Sequence, residues 1–264
     1  MKGLYSLVRG YLVFKSQKNA DTISGALVFF VVLGLVPTVY FLGLLLSFFG
    51  LKLQAHNGAL FVELLPLFDF LTESATRLKA GGNAFLVFIA IYSSSSAFFH
   101  LKVAGEMLYN HKPKNKIYIK ISSILANVTM SFLFATVIAL VGLAFSLFSR
   151  FLGALTTPLL IVTYGFIYFL FALLLNLYAC PYKITVKEVY LGALYTTILS
   201  VIETLIFIFY VRNFARFNEI YGAISTLVIF LSWAFLIMKT LVGGITLNVY
   251  RLGSIKRRKG LFRS

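Results

Sequence analysis

Two ionisable residues, Glu203 and Lys239, lie inside long apolar runs of the chain, where a charged side chain is unfavourable. Glu203 belongs to the run 189–210 and Lys239 to the run 224–249. A charge at the centre of a membrane helix costs roughly 2.5–3.5 kcal/mol on insertion scales, so such residues are usually functional or paired. A carboxylate and an ammonium in apolar surroundings can bind the polar headgroup of an amphiphile or couple a proton. Two other interpretations stay open: a buried ion pair that fixes helix register, and a lysine that extends to the membrane surface.

The depths of the two charges favour a pairing between them. At 1.5 Å per residue, Glu203 lies about 21 Å from the start of its run, and Lys239 lies about 15 Å from the end of its own. If the two helices run antiparallel, these ends share one side of the membrane. The depths then differ by about 6 Å, which a lysine side chain can span. We therefore expect an ion pair between the two helices.

Small polar residues accompany these charges at helical spacing. Ser232 lies seven residues before Lys239, and Ser200 lies three residues before Glu203. Residues at these spacings share one face of a helix. With two asparagines from other runs, they predict an intramembrane polar centre made of Glu203, Lys239, Asn127, Asn176, Ser200 and Ser232. The alternative is hydrogen bonding between helices without a pathway, worth about 0.6 kcal/mol per pair on average.

Six apolar runs must position these residues, and they lie at 23–49, 85–101, 121–148, 159–179, 189–210 and 224–249. Runs of this length can cross a bilayer, and only helices satisfy their backbone hydrogen bonds there. The chain is 60% hydrophobic and 12% charged, whereas about a quarter of the residues in soluble domains are charged. The sequence predicts an all-α polytopic membrane bundle with six transmembrane helices, forming one domain over 1–264.

The distribution of Lys and Arg predicts the orientation. Of 24 such residues, 17 lie in the terminal segments and in the connections on the same side, and 6 lie in the opposite connections. Basic residues favour the cytoplasmic side, so both termini are predicted to lie in the cytoplasm. The same asymmetry explains the net charge of +16 without a nucleic-acid partner, and membrane lipids are the expected partners.

Two further segments have an amphipathic pattern. Residues 2–18 concentrate apolar side chains on half of a helical wheel, which is typical of a helix lying in the membrane interface. Residues 59–78 predict a second amphipathic helix in the first external connection, bent or broken at Pro66. In the first apolar run, Pro37 predicts a kink, which is either a hinge or a static bend.

Five segments carry a resemblance to a known family. They are SGALVFFVVLGLVPTVY (24–40), IYSSSSAFFHLKVAGEMLY (91–109), NLYACPYKITVKEVYLGAL (176–194), VIETLIFIFYV (201–211) and IYGAISTLVIFLSWAFL (220–236). In this order they resemble the YihY/BrkB family of bacterial inner-membrane proteins, once mislabelled as ribonuclease BN. The resemblance implies six helices in the inner membrane and a role in transport or the envelope, such as movement of lipid or lipopolysaccharide. It implies no defined biochemical activity.

The resemblance also implies which positions correspond to family features. These are Pro37, the serines 93–96, Pro181, Glu203, Tyr221–Gly222 and Trp233. Two positions depart from the family pattern. Thr246, in the segment GITLN (244–248), stands where Glu is usual, and Glu106 stands where Asn is expected.

The residue types argue against an enzyme, and against a ribonuclease in particular. The eight acidic residues are scattered, and His56, His100 and His111 lie in separate regions. Phosphodiester hydrolysis usually needs clustered metal ligands or a paired acid and base. Cys180 is the only cysteine, so we expect no thiolate metal site, no other metal and no cofactor.

The leading hypothesis is a transporter or translocation factor for a lipid or another amphiphilic envelope component. The competing hypothesis is a non-transporting scaffold, which recruits partners through the segment 59–78 and the basic C-terminal tail. The sequence predicts neither the substrate nor the oligomeric state.

Overall fold

The computed structural model describes residues 2–48, 80–112, 115–152, 156–214 and 218–258. Within these ranges the chain forms seven α-helices and no strand. The helices are α1 (Lys2–Gln17), α2 (Ala20–Phe48), α3 (Ala80–Leu108), α4 (Lys116–Leu152), α5 (Thr156–Ala179), α6 (Val186–Phe214) and α7 (Asn218–Arg258). The predicted amphipathic segment 59–78 lies outside the described residues.

Local capping explains several helix ends. Asn19, two residues after the end of α1, adopts φ 50°, a left-handed conformation that asparagine tolerates near a helix end. At the start of α6, Thr185 N–H donates to Glu188 Oε2 at 2.8 Å, as in a capping box. Asn115 Oδ1 accepts from Ile117 N–H at 3.0 Å before α4. These contacts satisfy backbone groups that the first turn of a helix leaves unpaired.

Among the described residues, four helical segments are long and apolar enough to cross a membrane: Lys116–Val137, Val162–Ala179, Val186–Tyr210 and Val228–Gly253. They overlap the last four predicted runs and confirm them as helices of spanning length. The first two predicted runs fall within α2 and α3. There the described residues contain the shorter apolar segment Ala20–Gly34 of α2, so six crossings stay a prediction. Helix α2 runs through Pro37 without interruption, and the kink at this residue also stays a prediction.

Contacts within the chain divide it into two compact units. That the chain forms one membrane domain stays a prediction. The first unit consists of Met1–Phe29, Leu101–Pro113 and Thr163–Ser264. The second unit consists of Phe30–His100 and Lys114–Val162.

The core of the first unit contains two very close helix contacts. A Cβ added to Gly105 of α3 would clash with the backbone carbonyl of Ala179 at the end of α5. In the same way, a Cβ on Gly192 of α6 would clash with the carbonyl of Gly244 in α7. Glycine at such points lets two backbones approach, as small residues do in membrane bundles. Around the first contact lie the buried side chains of Ala20, Leu27, Leu101, Leu108, Leu241, Val242 and Ile245.

Helix α1 packs against α7 in the first unit, and its predicted helical structure is confirmed. Tyr11 OH donates to the carbonyl of Gly243 at 2.9 Å. Tyr11 and Phe14 both contact the ring of Tyr250, with centroid distances of 6.3 and 5.5 Å. Part of the predicted apolar face of α1 is therefore covered by α7.

Candidate polar site in the first unit

Glu203 of α6 lies against α7 and has one free carboxylate oxygen. Thr240 Oγ1 donates to Glu203 Oε1 at 2.6 Å. Glu203 Oε2 is buried and has no hydrogen-bond partner among the residues that the structure describes. A buried acceptor without a donor costs about 1–3 kcal/mol, and more if it is charged. One oxygen of the carboxylate is therefore hydrogen-bonded, and the other is not.

Ser200 extends the same face of α6. It is three residues before Glu203, so the two side chains are neighbours on the helix. Ser200 is 1% exposed, and its hydroxyl makes no hydrogen bond of good geometry. Tyr168 of α5 lies beside Ser200 and close enough to Glu203 for an electrostatic interaction. We call the group formed by Glu203, Ser200, Thr240 and Tyr168 the Glu203 site.

Lys239 does not form the predicted ion pair with Glu203. Its Nζ lies 3.4 Å from Asp21 Oδ1 at the start of α2, and the two side chains are 39% and 64% exposed. Adjacent residues on a helix point about 100° apart, so Thr240 faces α6 whereas Lys239 faces α2. Lys15 and Lys239 are nevertheless close enough to Glu203 to interact with its charge electrostatically.

The predicted residue Asn176 belongs to a different, fully buried network. Asn248 Nδ2 of α7 donates to Asn176 Oδ1 at 2.9 Å, and Asn248 Oδ1 accepts from Gly192 N–H at 2.9 Å. Asn176 Nδ2 donates to the carbonyl of Ala172 within α5 at 2.9 Å. Both asparagines are at most 1% exposed. All four amide hydrogen-bonding groups are thus used between α5, α6 and α7, which is the arrangement of a structural network.

The last two predicted residues, Ser232 and Asn127, make other hydrogen bonds. Ser232 is exposed and donates to the carbonyl of Val228 in its own helix at 2.8 Å. Asn127 belongs to the second unit, where its Nδ2 donates to Ser94 Oγ at 2.6 Å and its Oδ1 is buried without a partner. Of the six residues predicted for one centre, Glu203 and Ser200 therefore share a site, with Lys239 nearby.

Within the second unit, polar side chains of α3 and α4 face each other. Lys120 Nζ donates to Ser95 Oγ at 3.0 Å and to the carbonyl of Tyr92 at 3.2 Å. The ammonium also lies 4.0 Å from the centroid of the Tyr92 ring, within the range of a cation–π interaction. Gly34 of α2 also approaches the backbone of Ser94. The serine run 93–96 therefore provides both hydrogen bonds and close helix packing.

Sequence reasoning missed Thr240, Tyr168 and Asp21. Thr240 follows Lys239 directly in the sequence. A neutral threonine is common in membrane helices, so it does not stand out next to a charged lysine. Asp21 lies in the first turn of α2, where an acidic residue is favourable for the helix itself. Its position therefore has a local explanation and does not indicate a contact with Lys239. The two departures from the family pattern are both buried: Thr246 donates to its own helix at Val242, and Glu106 Oε1 has no hydrogen-bond partner.

Comparison with known proteins identifies the family. The family model described as "Virulence factor BrkB" matches residues 14–260, which is nearly the whole chain. The chain belongs to this family, and with its apolar helices it is a membrane protein. Searches of the curated proteins and of the solved structures found no match.

Proposed function

We propose that this protein is an inner-membrane transporter or translocation factor for a lipid or another amphiphilic envelope component. In this proposal the Glu203 site receives the polar headgroup. The observation that carries the proposal is the buried Glu203 Oε2, which has no hydrogen-bond donor among the described residues. Family membership and the four apolar spans support a membrane role of this kind.

The free acceptor defines the chemistry of the headgroup. A hydroxyl or ammonium group donates to a carboxylate oxygen and would remove the penalty of the unpaired atom. Ser200 offers a second contact beside it, as either donor or acceptor. Lys15 and Lys239 add positive charge nearby, which favours a headgroup that also carries a phosphate. A zwitterionic or hydroxyl-bearing phospholipid headgroup meets all of these requirements.

The apolar outer surface of α6 suits the remainder of such a molecule. Ile202, Leu205, Ile206 and Phe209 are 45–63% exposed and lie on the same helix as Glu203. Acyl chains are as apolar as these side chains, so they can remain against them while the headgroup enters the bundle. This arrangement moves the polar part of the lipid without taking its chains out of hydrocarbon.

The test is lipid translocation by the purified full chain in vesicles. A fluorescent phosphatidylethanolamine probe is placed in one leaflet, and its arrival in the other is followed by chemical quenching. Wild-type protein should accelerate exchange over protein-free vesicles. Glu203→Gln replaces the free acceptor with an NH₂ group of similar size, so we expect at least about a tenfold slower exchange.

Glu188→Gln is the matched control. Glu188 is in the same unit and caps α6, a role that glutamine also fills. Exchange by this variant should equal that of wild type. If Glu203→Gln is folded and also moves lipid at the wild-type rate, the polar-site mechanism is wrong, and the scaffold hypothesis takes its place. Deletion of residues 59–78 would then be the informative variant.

A further inference from the structure

A pocket of about 510 Å³ lies beside the turn between α1 and α2, in the first unit. The α1–α2 turn contributes Gln17, Lys18, Asn19 and Thr22, and the end of α3 contributes Met107 and Asn110. Asn19 and Asn110 both adopt left-handed backbone conformations, with φ 50° and 51°. These two turns bring polar side chains from distant parts of the sequence to one opening.

Among the described residues that line the pocket, only Lys18 is charged. Its Nζ donates to Asn110 Oδ1 at 2.7 Å, which fixes the ammonium at the opening and leaves further N–H groups for a ligand. No described carboxylate lies within 4 Å of the Lys18 ammonium. Asp21, the acidic residue nearest to it in the sequence, pairs with Lys239. Burial lowers the pKa of Lys18, so an anion beside it would favour the charged form.

The rest of the lining matches an oxyanion. Gln17, Asn19 and Asn110 have side-chain NH₂ donors, and Thr22 has a hydroxyl. Helix α2 begins at Ala20, next to the pocket, and the first N–H groups of a helix have no partner within it. A phosphate group, with several acceptor oxygens and negative charge, uses such donors together.

We propose that this pocket binds the phosphate group of an anionic ligand, either a phospholipid headgroup or a free phosphate. Two apolar residues at its edge suit the first source, because Met107 is 60% exposed and Ile23 is half-buried. Apolar side chains beside a phosphate site can contact the glycerol and the start of an acyl chain. The site is independent of translocation through the Glu203 site, because it uses none of the same residues.

The experiment is calorimetric titration of the purified full chain in a neutral detergent. The probes are inorganic phosphate and short-chain dihexanoyl phosphatidylglycerol. Lys18→Gln removes a charge-assisted hydrogen bond and should weaken binding by about tenfold or more. Lys18→Arg keeps the charge and the donors, so it should bind within about twofold of wild type. Lys187→Gln, at an exposed lysine of the same unit, removes an equal charge elsewhere and should also stay within about twofold.

The two probes identify the source of the phosphate. Tighter binding of the lipid assigns the pocket to headgroups, and equal binding assigns it to free phosphate; both results support a phosphate site. Thr22→Phe fills the pocket and keeps Lys18, so binding should be lost even if Lys18→Gln does not fold. The proposal is overturned if wild type binds neither probe, if Lys18→Gln and Lys187→Gln weaken binding equally, or if Thr22→Phe binds normally.

Discussion

Asn248 joins three helices through hydrogen bonds that solvent does not reach. Its amide contacts Asn176 of α5 and the backbone of Gly192 in α6, and it is itself part of α7. Each group is satisfied, so loss of one partner leaves a buried amide without a hydrogen bond. The network therefore contributes to stability and to a single arrangement of these helices.

We expect Asn248→Ala and Asn176→Ala each to lower the free energy of unfolding by about 1–3 kcal/mol. The double variant should lose less than the sum, with a coupling energy of about 0.6 kcal/mol and up to about 1.7 kcal/mol, because the two residues share a hydrogen bond. Denaturant unfolding of all four proteins in the same micelles measures this coupling. Strictly additive losses would contradict a direct hydrogen bond.

The sequence predicted which residues are polar better than it predicted their partners. Hydropathy and spacing identified Glu203, Ser200 and Asn176 as polar residues within helices. Glu203 and Asn176 make hydrogen bonds between helices, and Ser200 lies beside Glu203 on α6. Depth along the helices suggested a Glu203–Lys239 pair, but depth does not give the direction of a side chain around the axis. Thr240 and Lys239 are adjacent, so their side chains point about 100° apart around the axis of α7. For this reason Thr240, and not Lys239, contacts Glu203.

At the scale of helices, the contact between α6 and α7 depends on two glycines. Gly192 and Gly244 each have the carbonyl of the other where a Cβ would lie. A methyl group at either position must push the helices apart. The nearby hydrogen bond between Gly192 and Asn248 would then be strained as well.

We expect Gly244→Ala to destabilise the protein by about 1–3 kcal/mol, as overpacking of a core does. Gly165→Ala and Gly253→Ala are matched controls, because both glycines are helical and nothing lies within 4 Å of an added Cβ. These controls should be neutral or stabilising by about 0.5–1 kcal/mol, since alanine is the better helix former. Thermal unfolding in one detergent compares the three variants, and equal effects at all three positions would rule out close contact at Gly244.

The end of α5 is held by a lysine of α3. Lys102 Nζ donates to the carbonyls of Tyr178 and Cys180 at 2.7 and 2.8 Å, so a cation satisfies the last carbonyls of the helix. Cys180 is 4% exposed, and burial raises the pKa of its thiol. The thiolate, which is the reactive form, is therefore scarce as well as shielded.

Cys180 should react slowly with a maleimide reagent in the native protein. A raised pKa moves the rate–pH curve to higher pH, so the rate should still be rising where that of an ordinary thiol, with a pKa of about 8.5, levels off. Lys102→Met removes a positive charge that favours the thiolate, so it should slow the reaction further at pH 7.5. Mass spectrometry can follow the labelling, because the chain has a single cysteine. Native labelling as fast as that of the denatured chain would disprove the buried position.

At the scale of the whole molecule, the apolar pattern predicted helices more reliably than their ends. The last four runs became α4 to α7, but α7 extends to Asn218–Arg258, well beyond the predicted run 224–249. Hydropathy marks the apolar part of a helix, whereas backbone hydrogen bonding continues into polar residues until a cap or breaker ends it. Contacts between distant segments, such as Lys18 with Asn110, have no periodic signal and could not be predicted in this way.

The orientation in the membrane is a prediction for the whole chain. With both termini in the cytoplasm, a fluorescent protein fused to the C-terminus should fold and emit. Alkaline phosphatase inserted in the connection 50–84 should be active, because it would lie outside the cytoplasm. The reverse pattern of the two reporters would contradict the positive-inside assignment.

The central claim is that the Glu203 site opens to a polar ligand, and the labelling of a cysteine at Ser200 tests it most directly. In a Cys180→Ala background, Ser200→Cys is exposed to a membrane-impermeant thiol reagent. Val189→Cys, from the fully buried apolar cluster of α5 and α6, is the control. We expect Ser200→Cys to react about tenfold faster or more than Val189→Cys, as a site with local opening should, and a phospholipid ligand to slow the reaction. Equal, slow reaction at both positions would contradict it.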